Sequence, residues 1–223
     1  MNWQDSGFLI SKNKYSENSA IVEFYTSLRG KVTGILYGAT SRKIKNYLLI
    51  GNKFHINFFS KNDNQVGYFK IEIEKVNTVK FLEDPIKLSC ICYVVSMIKV
   101  LTVENQKNEE IYNLINDFYE IIDQDIWLAN FVHWELAIFN KLGYLIDFKN
   151  YISDQKNDNE KYYLKNNKSR IIPNFLIDKN AAKSPEDLNL GLRIVGDFLE
   201  KSILKPNNLN PLTKRVEFIN TIK

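Results

Sequence analysis

Few residues in this chain have both the type and the spacing to do chemistry, and most of those are cations. Ser41-Arg42-Lys43-Ile44-Lys45 packs three positive side chains into one short run that closely follows Tyr37. Cations that track a phosphate backbone, set beside aromatic rings that stack bases, are the parts a single-strand nucleic-acid site needs. Arg29, Lys31 and Lys53 are expected on neighbouring edges of the same sheet. Tyr37, Phe58 and Tyr68 are the candidates for stacking, whereas Phe24 and Phe54 read as core. A solvated loop beside buried aromatics would show the same pattern, and the pattern alone does not separate the two.

Other chemistries find little support. His55 and His133 are the only histidines, and no nucleophile motif, HExxH, Walker loop or GxGxxG accompanies them. Cys90 and Cys92 are two residues apart, which on a helix puts them on different faces and makes them poor co-ligands. Two cysteines so placed form no disulfide framework, which fits a reducing compartment. Glu109, Glu110, Asp117, Glu120 and Asp123 share the polar face of one helix and read as solvated rather than as an acid/base pair. Neither an enzyme nor a metal or cofactor site is expected. Trp127 and Trp134 on a later helix suit either a groove for a partner peptide or a core. Arg193, Lys201, Lys205, Lys214 and Arg215 suit an extended DNA path, a site for an acidic peptide, or ordinary helix ends.

Charge is unevenly spread. Residues 1–84 carry 12 Lys/Arg against 8 Asp/Glu, residues 85–147 carry 4 against 9, and residues 148–223 carry 14 against 9. Two basic ends around an acidic middle point to an anionic partner at the ends. The longest apolar stretch, residues 88–101, is interrupted by Ser89, Ser96 and Lys99, and it falls short of the ~20 residues that span a bilayer. No basic leader precedes an apolar run at the N-terminus, so a cytosolic protein is expected.

These side chains need elements to hold them. Strands are expected over 3–11, 20–26, 32–37, 53–60 and 67–81, with Gly7 at a bulge or corner and Gly30 closing a hairpin turn. Residues 62–65 read as a further turn. Five short, aromatic-rich strands predict a small Greek-key barrel, and an SH3-like barrel would look similar. Composition changes at Glu83-Asp84-Pro85, where Asp84 suits an N-cap and Pro85 the first helical position. A boundary is placed there, giving a barrel over 1–82 and a helical domain over 83–223 with an irregular insert at about 148–183. Helices are expected over 86–102, from a cap at Asn108, over 125–142, from a cap at Ser184, and over 212–219. Residues 154–159 read as a polar loop, and Tyr162, Tyr163 and Leu164 are expected to pair with Ile171 and Ile172 in a hairpin.

Three separated segments carry a family resemblance. YSENSAIVEFYTSLRGKVTGILYGATSRKIK (15–45) resembles the N-terminal signature of RecO-type recombination mediators, from its polar turn to its Gly-Ala-x-Ser-Arg loop. HWELAIFNKLGYLIDF (133–148) is similar to the family's "F-E-L" helix and its Leu-Gly-Tyr exit. LRIVGDFLEKSILKPNNLNPLTKRVEF (192–218) resembles its closing segment.

The resemblance implies an α+β, multidomain chain: an N-terminal five-stranded OB-fold β-barrel followed by an α-helical domain. It implies a non-enzymatic mediator of the RecF pathway. Such a protein binds single- and double-stranded DNA, anneals complementary strands and helps RecR load RecA onto strands coated by single-strand-binding protein (SSB). SSB would dock by its acidic C-terminal tail, with RecF and RecA engaged indirectly. Arg42, Lys43 and Lys45, with Arg29 and Lys31, are then the implied DNA contacts. The other reading is a protein-interaction scaffold whose barrel binds a partner. Two departures stand out. Residues 148–183 hold no cysteine, so the zinc site of many relatives is not expected here. Val132 and His133 stand where some relatives place arginines, so charge for an acidic tail would come from Lys141 or Arg193, near Trp134.

Overall fold

A computed structural model of the protein describes residues 2–61, 66–146, 148, 152–156, 162–164 and 167–222. The turn expected at residues 62–65 lies outside them. Five strands, β1 (Asn2–Ser16), β2 (Ser19–Thr26), β3 (Gly30–Tyr37), β4 (Lys53–Phe59) and β5 (Tyr68–Lys75), form a sheet closed in the order β1-β2-β3-β5-β4. This five-stranded Greek-key closure is the OB fold.

Alternation along each strand decides what fills it. Val22, Phe24, Val32, Leu36, Phe54, Ile56, Phe69 and Ile71 point inward and are buried. Phe24 lies at their centre, with edge-on ring contacts to Phe54 at 5.7 Å and Phe69 at 5.2 Å. Gly7 is the expected corner: it pairs with both Thr26 of β2 and Phe54 of β4, where β1 passes from one neighbour to the other. The first of two register shifts in β1 falls just beyond it, between Leu9 and Ser11. Gly30 takes φ +68° and closes the β2–β3 hairpin as predicted.

The last strand is shorter than its apolar pattern suggested. β5 ends at Lys75 because the backbone N–H groups of Asn77 and Thr78 donate to Asn52 Oδ1, at 2.9 and 3.0 Å, and leave the ladder. A 3-10 turn, Val79–Phe81, replaces the expected strand end.

The seam between β3 and β5 is parallel and only two pairs long, Ile35 with Tyr68 and Leu36 with Phe69. Ile35 N–H extends it by donating to the Gly67 carbonyl at 2.9 Å. Side chains at Gly34 or Gly67 would block this approach. A Cβ at Gly34 would lie 2.6 Å from the Phe69 ring, and one at Gly67 would overlap the Phe58 ring.

Helix starts follow their caps. In α2 (Pro85–Leu101), Asp84 accepts from the N–H groups of Ile86 and Lys87. Asn108 Oδ1 accepts from Ile111 N–H at the start of α3 (Glu109–Ile121). In α5 (Pro185–Phe198), Ser184 and Asp187 make a reciprocal capping box. α4 spans Trp127–Lys141, a π-helical turn Leu199–Leu204 follows α5, and α6 is Thr213–Ile222. Gly143, with φ +90°, ends α4.

The chain divides into two compact units, residues 1–113 with 212–223, and residues 114–211. The first holds the closed sheet together with α2 and α6. α2 is apolar nearly all round, so it packs on β1 and also on α6, where Tyr93 stacks parallel to Phe218. The second holds α4, α5 and a three-stranded sheet of β6 (Ile152–Lys156), β7 (Tyr162–Leu164) and β8 (Asn167–Ile172). Tyr162 pairs with Ile172 and Tyr163 with Ile171, the hairpin read from the sequence. Residues 154–156, expected in a loop, extend β6, and 157–159 lie outside the described residues. Among the described residues no helix is long and apolar enough to cross a membrane.

Gly67→Ala should lower stability by about 1–3 kcal/mol, the usual cost of forcing extra volume into a packed site. Urea denaturation followed by far-UV circular dichroism measures it, and an unchanged midpoint would show that the seam tolerates a side chain.

Candidate nucleic-acid interface

The cationic run is a helical turn rather than an open loop. Gly38, at φ +73°, turns the chain out of β3. The N–H groups of Gly38 and Ala39 donate to the Asn18 carbonyl, and Thr40 Oγ1 donates to Asn18 Oδ1 at 2.7 Å. This ties the segment to the β1–β2 turn. Residues Arg42–Lys45 then form the single turn α1. Ile44 packs against the sheet's core cluster, with Tyr47 and Leu48 following it. Successive residues on a helix are about 100° apart, so an inward Ile44 leaves Arg42, Lys43 and Lys45 outward. All three are exposed, and no ion pair joins them to a carboxylate among the described residues.

The other three predicted cations lie elsewhere. β3 separates them from α1, because Arg29 and Lys31 stand at its start and Arg42 follows its end. Eight residues at about 3.3 Å each hold the two groups roughly 25 Å apart along the strand. Lys53 aligns with this far end through Phe8, Tyr25 and Lys31, which pair in one row. These cations are engaged within the fold. Arg29 lies 4.9 Å over the Trp3 ring. Lys31 Nζ donates to the Lys99 carbonyl at 2.8 Å, and burial lowers its pKa against the pull of Glu23 and Glu104. Lys53 Nζ pairs with Glu74 at 2.9 Å and lies over the Tyr112 ring. Burial works against its charge, but hydrogen bonds to Glu74 and Tyr112 outweigh that and raise its pKa. Lys31 and Lys53, expected to meet DNA, thus have polar partners of their own within the fold.

The aromatic candidates also sort by face. Phe58 turns inward, stacking on Trp3 at 4.9 Å and touching Phe69 at 5.2 Å. It shares the inward face with Phe54 and Ile56, which leaves Phe59 outward. Phe59 pairs across the strands with Tyr68, and their rings stack at 5.1 Å. Tyr37 reaches Tyr68 from β3 at 5.8 Å. The structure thus brings together Tyr37, Tyr68, Phe59 and Lys70, whose ammonium lies 5.4 Å over Phe59. Phe59 and Lys70 were not among the sequence candidates. Strict alternation through KFHINFFS was the available signal for Phe59. Nothing local marks Lys70.

In the second unit, Trp134 is no exposed partner contact. It is 3% exposed, its Nε1–H donates to the Leu114 carbonyl at 2.6 Å, and its ring packs on Phe118 and Phe131. Its large apolar ring and single donor are both satisfied inside. Lys141, at the end of α4, and Arg193, on α5, are exposed. Val132 is buried. His133 sets its ring edge-on to Phe175 at 5.7 Å, with Nε2 buried and unpartnered among the described residues. Burial, followed by the charges of Lys179 and Lys183, lowers its pKa to about 4, so it is neutral near pH 7. Among the described residues no group of three His, Cys, Asp or Glu side chains is placed to hold a metal.

A closed five-stranded Greek-key sheet followed by helices defines the class, an OB-fold protein with a helical region after its barrel. The family model for the recombination protein O N terminal matches residues 1–76, and that for the recombination protein O C terminal matches residues 82–209. The chain belongs to the RecO family of DNA repair and recombination proteins. It is 27% identical over 242 residues to the DNA repair protein RecO of Ehrlichia chaffeensis, covering 100% of this chain and 98% of the relative. With the protein of that name from Hyphomonas neptunium it shares 26% over 219 residues, 90% of this chain and 89% of the relative. That of Rhodospirillum centenum is 20% identical over 235 residues, 98% and 94% of the two chains.

His133 generates a pH prediction. In the unfolded chain it binds a proton below about pH 6.5, but in the folded chain only below about pH 4. The unfolded state holds more protons between these values, so stability falls as pH drops through that window and is insensitive to His133 above it. Urea denaturation at pH 7 and pH 5 should show a smaller loss for His133→Gln than for the wild type. Equal losses would show that the imidazole is not held neutral.

Proposed function

We propose that the protein is a non-catalytic mediator of recombinational DNA repair. It binds single- and double-stranded DNA, anneals complementary strands and helps RecR load RecA onto SSB-coated single strands in the cytoplasm. The observation that carries this is the exposed turn of Arg42, Lys43 and Lys45, unanswered by any carboxylate among the described residues, on the OB-fold sheet of a RecO-family chain. Two DNA strands repel through their phosphates. A compact cationic turn that neutralises phosphates of both lowers that repulsion and releases counterions. Annealing needs this charge effect and no bond chemistry. No metal or cofactor enters the scheme. For the acidic tail of SSB we assign exposed Lys141 and Arg193, since neutral His133 supplies no charge. RecF and RecA are engaged indirectly.

Fluorescence anisotropy with a labelled oligonucleotide across a salt series tests the DNA contact. Binding should weaken steeply with salt. Changing Arg42, Lys43 and Lys45 together to Ala should reduce the log–log salt slope by about 2, at roughly 0.7 per lost single-strand phosphate contact. Changing Lys31 and Lys53 to Met should leave the slope unchanged. Salt-insensitive binding, or a triple variant that binds like the wild type, would remove the proposal.

A further inference from the structure

One cross-strand row runs over the outer face of the whole sheet. Asn13 pairs with Ile21, Ile21 with Ile35, Ile35 with Tyr68, and Tyr68 with Phe59. Tyr37 stands beside it, at the end of β3. A solvent-facing sheet surface usually carries polar residues at these positions. Here it carries two half-buried isoleucines and three rings in a chain of contacts through Tyr68.

The rings are graded. Phe59 is half-buried, held by Tyr68 on one contact and by the Lys70 ammonium on another. Tyr68 is 37% exposed, between Phe59 and Tyr37, and Tyr37 is 58% exposed. Rings already in contact leave no room for a base between them. The surface open to a ligand is the outermost ring, with the others as its backing. A tyrosine held this way loses little freedom on binding, because its neighbours have already restricted it.

Charge selects the ligand. The segment that follows Tyr37 leads directly into Arg42, Lys43 and Lys45, and exposed Lys70 lies at the other end of the ring row. The carboxylates of β5, Glu72 and Glu74, come later in the strand, and Glu74 is bound to Ser6 and Lys53. An open ring between cations suits a planar base that carries its own phosphate. In a duplex both faces of each base are covered by its neighbours, so only an unpaired base can use the ring.

We infer that Tyr37 is a base-stacking platform, backed by Tyr68 and Phe59, that gives this protein a preference for single-stranded over double-stranded nucleic acid. The inference rests on the DNA-binding reading above and adds to it the feature that recognises the unpaired base. Tyr68 and Phe59 are positioning residues, and Lys70 holds the end of the row.

The test compares three probes with the full chain: a short oligothymidylate, an abasic oligonucleotide of equal length, and a duplex. Tyr37→Ala should weaken oligothymidylate binding about tenfold, the size of one base–aromatic stack. Its affinity for the abasic strand and the duplex should stay within about twofold of wild type, and its salt slope should not change. Tyr37→Phe, which keeps the ring, should bind as the wild type does. An unchanged affinity of Tyr37→Ala for oligothymidylate overturns the inference while leaving the cation-turn reading intact. Equal losses on all three probes overturn it as well, since stacking cannot act on an abasic strand. If the wild type binds none of the probes, both proposals fall together.

Discussion

Closure of the five-stranded sheet depends on a parallel seam of two residue pairs between β3 and β5. So short a seam has few hydrogen bonds to spare, and it forms only because Gly34 and Gly67 carry no side chains where the strands meet. Glycine costs conformational entropy in a strand, so its use here reflects close approach. Once the seam is made, Phe69 lies under Gly34 and against Phe24, and the inner face is filled. The same seam has an outer consequence. It sets Tyr37 beside Tyr68, residues that are 31 positions apart in the chain. One contact between backbones thus completes the core and builds the surface ring cluster.

Charge on the first unit is divided by the strands. At the start of β3 the cations meet carboxylates, carbonyls and rings: Lys99 pairs with Glu23, Lys53 with Glu74, and Lys31 with a helix carbonyl. These contacts tie α2 and β5 to the sheet, and their charge is spent on the fold. At the end of β3 the cations have no such partners among the described residues. Ile44 explains the difference. Its packing on the core fixes α1 while its neighbours on the turn are forced outward. An anionic polymer near the first unit meets an unanswered cationic turn at this end of β3.

The second unit is built on a different balance. α4 buries Phe131, Val132, Trp134, Ile138 and Phe139, so little of the helix is free to meet a partner. His133 is held neutral by burial and by nearby lysines. Lys141, on α4, and Arg193, on α5, are exposed.

Much of this protein was legible in its sequence, for local reasons. Asp84-Pro85, Asn108 and Ser184-Pro185 start helices because a side-chain acceptor beside free N–H groups acts within one turn. Gly30 had to turn the chain, the alternation in KFHINFF put Phe54 and Ile56 inside, and the 162–172 hairpin followed from its apolar pairing. The OB fold and the family were likewise carried by segments read in order. What only the tertiary structure decided is non-local. The end of β5 is set by Asn52, 25 positions before Asn77 in sequence. Whether a cation is paired inside the fold or left exposed depends on carboxylates and carbonyls brought from distant segments, as Lys31 and Lys53 show against Arg42 and Lys43. The ring cluster depends on a seam between strands whose contact no short-range pattern encodes. Composition can say that cations and aromatics are present. Only closure of the sheet decides which of them share a face.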